Sequence, residues 1–193
     1  MRNHNRTLGR SFAALVLFTS IAIAQTTQPT HQLDVPYVPT TEQAVKEMLK
    51  LADVKSSDTV YDLGCGDGRI VIAAAKEYGA HGVGIDINPE RIQEAEANAK
   101  KAGVEKLVRF EQYDLFDADI HEATVVTLFL LNSVNLKLRP KLLKDLKPGT
   151  RVVSNTFHMG DWKPDKESTL DSDDADYGLS HKFFLWIIPR NER

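Results

Sequence analysis

The chain has 193 residues, of which 42% are hydrophobic and 26% charged, values that are ordinary for one soluble globular domain. Its formal net charge is −3, and because residues 1–24 contribute three arginines and no acid, the rest of the chain carries −6. An acidic body argues against nucleic acid as a partner, since phosphate binding needs a basic surface. The single cysteine excludes a framework of intramolecular disulfides.

The first 24 residues have the pattern of a targeting segment. A basic stretch through Arg10 precedes an apolar run from Phe12 to Ile23, and Ala22-Ile23-Ala24 fits a small-x-small cleavage site. This predicts a signal peptide cut after Ala24, and hence an exported or periplasmic protein without stable membrane contact. Two alternatives stay open: an uncleaved membrane anchor, for which the run is short, and a mitochondrial presequence, which the arginines and lack of acids would suit.

Residues 25–39 are polar and contain three prolines, so we expect an extended lead-in before a folded domain at 40–193. A helix is predicted to begin at Thr40, because Thr40-x-x-Gln43 can form a capping box. One apolar stripe of this helix is predicted to pack in the core, and it consists of Val45, Met48, Leu49 and Ala52.

A glycine-rich segment, Asp62-Leu-Gly-Cys-Gly-Asp-Gly68, lies between a predicted strand at 59–61 and a helix that ends at Gly79. Three glycines at alternate positions let the backbone turn tightly and approach a ligand closely. The segment has no Walker-type Gly-Lys-Ser/Thr and departs from G-x-G-x-x-G. Its acidic start suits a cationic or amine-bearing ligand better than a pyrophosphate.

A second predicted strand, 81–86, ends in a carboxylate 22 residues after Gly64. Nucleotide-binding α/β folds place an acid for the ribose hydroxyls at this position, so Asp86 is the candidate. Asn88 and Pro89 then begin a helix that ends near Gly103.

The remaining elements also alternate between strand and helix. Strands are predicted at 107–114, 124–131 and 150–157, with a short helix from Pro140 before the last of these. A final strand at 181–189, with a partner within 166–172, would form an antiparallel hairpin at the sheet edge. The pattern predicts an α/β fold, Rossmann-like and doubly wound around a mostly parallel sheet.

These motifs resemble those of the class I, seven-β-strand S-adenosylmethionine (SAM)-dependent methyltransferases: the glycine segment matches their first motif and Asp86 their ribose-binding acid. Tyr113-Asp114-Leu115 resembles the segment that meets the adenine. The resemblance implies SAM as cofactor, S-adenosylhomocysteine as product, and a seven-stranded sheet. A dinucleotide-binding Rossmann domain is the alternative. The implied cofactor-binding residues are Tyr37, Thr40, Asp62, Gly64, Cys65, Gly66, Gly68, Asp86, Ile87, Asn88, Asp114 and Leu115.

The segment after the fourth strand, 130–135, lacks the D/N-P-P-Y/F motif of enzymes that methylate bases or glutamine amides. Tyr37-Val-Pro-Thr40 together with the glycine segment is similar to the small protein-lysine N-methyltransferases, which have mitochondrial and prokaryotic members. This implies a lysine-bearing protein as methyl acceptor, with Tyr37 and Thr40 over the methionine end of SAM. A small-molecule methyltransferase and an exported, non-catalytic SAM- or nucleoside-binding protein are the alternatives.

Polar residues near the ends of the fourth and fifth strands are candidates for the methyl-transfer site, because ligands of open α/β sheets bind beyond the carboxyl ends of strands. Asn132 and Asn155 are these candidates, and Asn132 could orient the incoming amine or only satisfy local backbone. His158 could accept a proton or be structural. An acidic run from Asp161 to Asp176 is either a solvated loop or a negative rim that attracts lysine, and its spacing predicts no metal site.

Overall fold

The computed structural model describes residues 38–170 and 181–190. The predicted targeting segment, most of the lead-in with Tyr37, and the acidic residues from Asp171 to Asp176 lie outside the described residues. The described part forms these elements in chain order: α1 (Glu42–Leu51), β1 (Thr59–Leu63), α2 (Arg69–Tyr78), β2 (His81–Asp86), α3 (Pro89–Ala102), β3 (Val108–Gln112), β4 (Val125–Leu128), α4 (Asn132–Asp145), β5 (Arg151–Asn155), β6 (Lys166–Leu170) and β7 (His181–Ile187).

The strands form one seven-stranded sheet in the order β3-β2-β1-β4-β5-β7-β6. Parallel pairing joins β1 to β2 and β4, β2 to β3, and β4 to β5, whereas β7 runs antiparallel to both β5 and β6. The predicted Rossmann-like sheet with a C-terminal antiparallel hairpin is therefore confirmed. The strand order reverses beside β1, and this switch point is where open α/β sheets leave a crevice for a ligand.

Two hydrophobic clusters cover the two faces of the sheet. One joins α1, α2 and α3 to the first face, and it includes the predicted α1 stripe. The other joins α4 and the segment 115–123 to the second face, around Trp186 and Met159. Strand β4 contributes to both clusters and is buried at all four positions, as its apolar run indicates.

Two predicted helix starts were wrong. Thr41, not Thr40, caps α1, and its Oγ1 accepts the backbone N–H of Ala44 at 3.1 Å. The predicted short helix from Pro140 is the second half of α4, which begins at Asn132. Pro140 is tolerated inside α4 at a solvent-exposed position, where the bond it cannot donate to Leu136 leaves that carbonyl accessible to water.

Residue-level strand ends also differ from the predictions by one to three residues, most at β4, which ends at Leu128 rather than 131. Among residues 38–170 and 181–190, no helix is both long enough and apolar enough to cross a membrane.

Candidate functional site

The predicted site residues that the structure describes follow the carboxyl ends of the parallel strands or precede α1. Asp62 lies in β1, Asp86 ends β2, and Asn155 ends β5. The glycine residues and Cys65 form the β1–α2 loop, and Ile87 and Asn88 form the β2–α3 loop. Asp114 and Leu115 follow β3, Asn132 is the first residue of α4, and Thr40 precedes α1. The fold therefore gathers these residues at one edge of the sheet.

The β1–α2 loop has the backbone conformation that its glycines allow. The φ angles are +84° at Gly64, +52° at Gly66 and +79° at Gly68, a region that other residues rarely adopt. The N–H groups of Gly64 and Cys65 both donate to the Ile85 carbonyl, at 2.8 and 2.9 Å. Gly64 is exposed at the crevice, so the loop offers backbone without side chains to a ligand.

Asp86 joins two loops of the site through its carboxylate. Its Oδ2 accepts the N–H of Gly66 and its Oδ1 accepts the N–H of Asn88, both at 2.9 Å. A carboxylate oxygen has more than one lone pair, so both oxygens can still accept from vicinal hydroxyls. This arrangement fits the ribose-binding role that was predicted for Asp86.

Asp62 is 3% exposed, and its Oδ1 accepts a hydrogen bond from the Thr127 hydroxyl at 2.7 Å. The pKa of Asp62 is raised to about 7, chiefly by burial and also by the charges of Asp86 and Asp67, while the Thr127 hydrogen bond acts in the opposite direction. A cationic group of a ligand would offset this cost. The site is thus built for a partly positive ligand.

Cys65 lies in the middle of the loop and is buried. Burial raises the pKa of its thiol far above the ordinary value, and the charges of Asp62, Asp86 and Asp67 act in the same direction. The thiol therefore stays protonated and unreactive at neutral pH.

The sequence did not reveal the role of Arg69 in the site. Its Nε and Nη2 bind both carboxylate oxygens of Asp67, and its Nη1 donates to the Thr40 carbonyl at 2.6 Å. Asn98 of α3 donates to the Asp67 carbonyl at 3.0 Å. Arg69 thereby holds the segment before α1 against the glycine loop, which places Thr40 beside the predicted SAM position.

After β3, the backbone returns towards Asp86. The N–H of Tyr113 donates to the Asp86 carbonyl at 3.1 Å, while the Tyr113 side chain is 56% exposed. Asp114 caps the next turn, because its Oδ1 accepts the N–H of Phe116 at 2.9 Å. Asp114 and Leu115 therefore lie next to the candidate ribose site, and contact of this segment with the adenine stays a prediction.

The two candidate asparagines are held by different segments. Asn132 is exposed, and its Oδ1 accepts the N–H of His158 at 3.0 Å. Asn155 is fully buried, and its Oδ1 accepts from the Thr156 hydroxyl at 3.0 Å. Beside them the rings of Phe129 and Phe157, at the ends of β4 and β5, lie 6.0 Å apart.

The geometry of His158 disfavours the proton-acceptor role. Its Nδ1 accepts the N–H of Gly160 at 3.0 Å, so in the neutral ring the proton is on Nε2. The described acids of the predicted rim are also engaged: Asp161 pairs with Arg139, Asp165 accepts the N–H of Ile187 at 2.7 Å, and Glu167 pairs with Lys182 at 2.7 Å. No group of three or more metal-ligating side chains occurs in the described residues.

Comparison with known proteins identifies the family to which the chain belongs. The family model described as the ANTKMT methyltransferase domain matches residues 62–166. A protein-lysine N-methyltransferase of Saccharolobus islandicus (strain REY15A) is 50% identical over 155 residues, which are 80% of this chain and 94% of that protein. The chain belongs to the ANTKMT methyltransferase-domain family.

Two further relatives extend the comparison. The adenine nucleotide translocase lysine N-methyltransferase of Mus musculus is 35% identical over 133 residues, which are 69% of this chain and 58% of that protein. A crystal structure described as an RNA methyltransferase from Salinibacter ruber, in complex with S-adenosyl-L-homocysteine, has a TM-score of 0.74 and 54% identity, and covers 81% of this chain and 97% of its own. The ANTKMT-family chain is thus a SAM-dependent methyltransferase, and the dinucleotide-binding alternative is wrong.

Proposed function

We propose that this ANTKMT-family enzyme transfers the methyl group of SAM to the ε-amine of a lysine in a protein. The observation that carries the proposal is the match along nearly the whole length of a protein-lysine N-methyltransferase at 50% identity. The ends of β4 and β5 support it, because they present amide side chains and two aromatic rings rather than a nucleophile and base pair. An attacking amine needs no covalent catalysis from the enzyme.

The residues of the site have separable tasks in this reaction. SAM, when bound, supplies an electrophilic methyl group on a positively charged sulfur. The glycine loop and Asp86 would hold the nucleoside, and the Asp62 carboxylate adds negative charge beneath the loop. The amine nitrogen uses its lone pair to form a bond to the methyl carbon while the carbon–sulfur bond breaks. The electron pair of the broken bond stays on sulfur. Positive charge therefore moves from sulfur to nitrogen, and the product is an N-methylammonium and S-adenosylhomocysteine.

Apolar side chains where the methyl acceptor binds would favour the neutral form of the lysine amine. Only a neutral amine has a free lone pair, and low-polarity surroundings disfavour the charged ammonium. In this proposal the rings of Phe129 and Phe157 supply such surroundings beside the reacting atoms.

RNA is the second candidate acceptor, because the Salinibacter ruber protein is described as an RNA methyltransferase. Two properties of this chain favour lysine over RNA. The segment 130–135 lacks the motif that binds exocyclic base amines, and the chain outside residues 1–24 carries a net charge of −6. A small-molecule acceptor is less favoured, since the Saccharolobus islandicus and Mus musculus relatives are both lysine methyltransferases.

The experiment that separates these acceptors incubates the purified chain with methyl-labelled SAM and a cell-envelope extract. Label is expected in protein, and acid hydrolysis should release it as methylated lysine. Pre-treatment with ribonuclease should leave the signal intact. Label in RNA or in small molecules alone would contradict the proposal, and the absence of transfer to any fraction would favour the non-catalytic alternative.

The cellular location stays a prediction. Export through residues 1–24, an uncleaved anchor and a mitochondrial presequence would give different mature N-termini. Mass spectrometry of the protein isolated from its native cells would separate a chain beginning at residue 25 from an intact one.

A further inference from the structure

Two buried side chains at the carboxyl edge of the sheet, Asn155 and His181, have nitrogen atoms without hydrogen-bond partners in the described residues. Asn155 is 0% exposed and its Nδ2 is unpaired, and His181 is 4% exposed with both ring nitrogens unpaired. Leaving buried polar groups unsatisfied is costly, so each such group needs a partner. The Asn135 Oδ1 is unpaired as well, while its Nδ2 binds Ser154 and the Phe157 carbonyl, but Asn135 lies on α4, which packs against the other face of the sheet.

Asn155 and His181 point to the same face of the sheet. Asn155 pairs directly with Phe183 across β5 and β7, so these two side chains share a face. His181 precedes Phe183 by two residues and therefore lies on that face too, as the diagonal neighbour of Asn155. The backbones of diagonal neighbours are about 7–8 Å apart, which is within reach of long side chains, so both side chains can contact one ligand group.

The orientation of the His181 ring is fixed. Its plane lies within 9° of the Phe183 ring, and the two ring centroids are 6.2 Å apart. Phe183 is fully buried in the cluster formed with α1. The ring nitrogens of His181 are therefore held by packing rather than by a hydrogen bond.

The face that carries Asn155 and His181 is also the one beside the SAM loop. Arg151, the first residue of β5, donates to the Ala52 carbonyl at the end of α1, at 2.8 Å. Helix α1 thus ends at the amino edge of the parallel strands and begins at their carboxyl edge. The Thr40 carbonyl before α1 binds Arg69 beside the glycine loop. Asn155, His181 and the SAM loop consequently lie at the same edge of the sheet.

We propose that Asn155 and His181 bind the methyl-accepting amine and orient its lone pair towards the methyl group; this rests on the proposed lysine acceptor. A neutral imidazole has one acceptor nitrogen, which takes one N–H of the amine. The Asn155 amide supplies the second acceptor after a half-turn that exchanges Oδ1 and Nδ2, because the Thr156 hydroxyl can both donate and accept. With both N–H groups held, the lone pair stays free to attack.

The first test replaces His181 by phenylalanine, which keeps the aromatic packing on Phe183 and removes both nitrogens. With the protein that takes up label as substrate, kcat/KM should fall at least about tenfold, as expected for a lost buried hydrogen bond. SAM affinity by calorimetry and the melting temperature should stay close to wild type. His181→Gln, which keeps an acceptor, should recover part of the loss. The matched control is His121→Phe, since His121 is exposed before β4 at the opposite edge.

A second measurement uses the wild-type protein and so does not depend on a variant that folds. In the complex with S-adenosylhomocysteine, n-butylamine, which matches the lysine side chain, should shift the ¹⁵N resonances of the His181 ring. Butyltrimethylammonium, which has no N–H group, should not. A shift from both probes or from neither would contradict the proposal.

The two proposals can fail separately. If label enters RNA and never lysine, the proposed acceptor is wrong, and the amine titration still decides whether His181 binds an amine. If lysine is methylated but His181→Phe keeps the full kcat/KM, the assignment of His181 is wrong. An equal loss of SAM affinity in His181→Phe would also overturn it.

Discussion

At the scale of a single residue, Asp62 is a site acid whose buried position lowers the stability of the folded protein at neutral pH. It is buried beneath the glycine loop with Thr127 as its hydrogen-bond donor and with two other acids nearby. Its raised pKa means that the folded state holds the proton more tightly than the unfolded chain does. The stability that this group contributes is therefore complete below the unfolded pKa and is lost as pH rises towards about 7.

We expect Asp62→Asn to remove this pH dependence in the SAM-free protein. The advantage of the variant in unfolding free energy should grow from about pH 4 to about pH 7 and then level off at about 4 kcal/mol, at about 1.4 kcal/mol per unit of pKa shift. Urea denaturation at several pH values measures it. The exposed Asp117→Asn is the matched control, and parallel curves for wild type and Asp62→Asn would contradict the expectation.

Some site residues could be predicted from the sequence because their signal is local. Gly64, Gly66 and Gly68 occur together between a strand and a helix, and Asp86 ends the next strand. The role of His181 could not be predicted, because its neighbour Asn155 becomes adjacent only through the antiparallel pairing of β5 with β7. No local pattern distinguishes a histidine whose ring nitrogens lack partners.

At the scale of elements, the presence of the strands was easier to predict than the starts of α1 and α4. The apolar runs of β4 and β7 identify buried strands by composition alone. Helix α4 has no side-chain cap at Leu131 and contains Pro140, so its sequence suggested a later start. Packing of its buried positions, including Val134 and Leu138, against the second face overrides these weak local signals.

Gly68 and Gly103 form a matched pair for testing the junction between loop and helix. Both have positive φ angles, +79° and +73°. A Cβ added at Gly68 would lie 2.7 Å from the Phe110 ring, whereas a Cβ added at Gly103 would have no neighbouring atom within 4 Å. We expect Gly103→Ala to cost about 1 kcal/mol from backbone strain alone. Gly68→Ala should cost about 1–3 kcal/mol more through overpacking. Chemical denaturation of both variants measures the difference, and equal losses would show that crowding at Phe110 contributes nothing.

At the scale of the whole molecule, the two edges of the parallel strands have different tasks. The carboxyl edge holds the candidate site, and the amino edge holds a network around Asp58. Asp58 pairs with Arg151 and accepts from Thr124 at 2.7 Å and from the Lys55 N–H at 2.7 Å. Burial would raise the pKa of Asp58, but these hydrogen bonds and the charge of Arg151 outweigh it and lower the pKa below its ordinary value. The stability that Asp58 contributes to the folded protein is therefore present above about pH 4 and is lost as pH falls.

We expect Arg151→Met to lower the unfolding free energy by about 3 kcal/mol at pH 7, because it leaves a buried carboxylate unpaired and frees two carbonyls at the end of α1. The loss should shrink below pH 4, where Asp58 takes up a proton. Calorimetric titration should show unchanged SAM affinity for the folded fraction. Arg109→Met, at a half-exposed pair with Glu111, should cost less than about 1 kcal/mol. A comparable loss in both variants would contradict a special role for the buried network around Asp58.

The carboxylate of Asp86 has a consequence for the entropy of binding. Because it already accepts one N–H from each of two loops, the loops around the nucleoside position are ordered before any ligand arrives. Binding then spends little free energy on freezing backbone, and more of the contact energy remains as affinity. Such a preorganised site should also release its spent cofactor slowly, since the loops that hold the product have no looser arrangement to which they readily return.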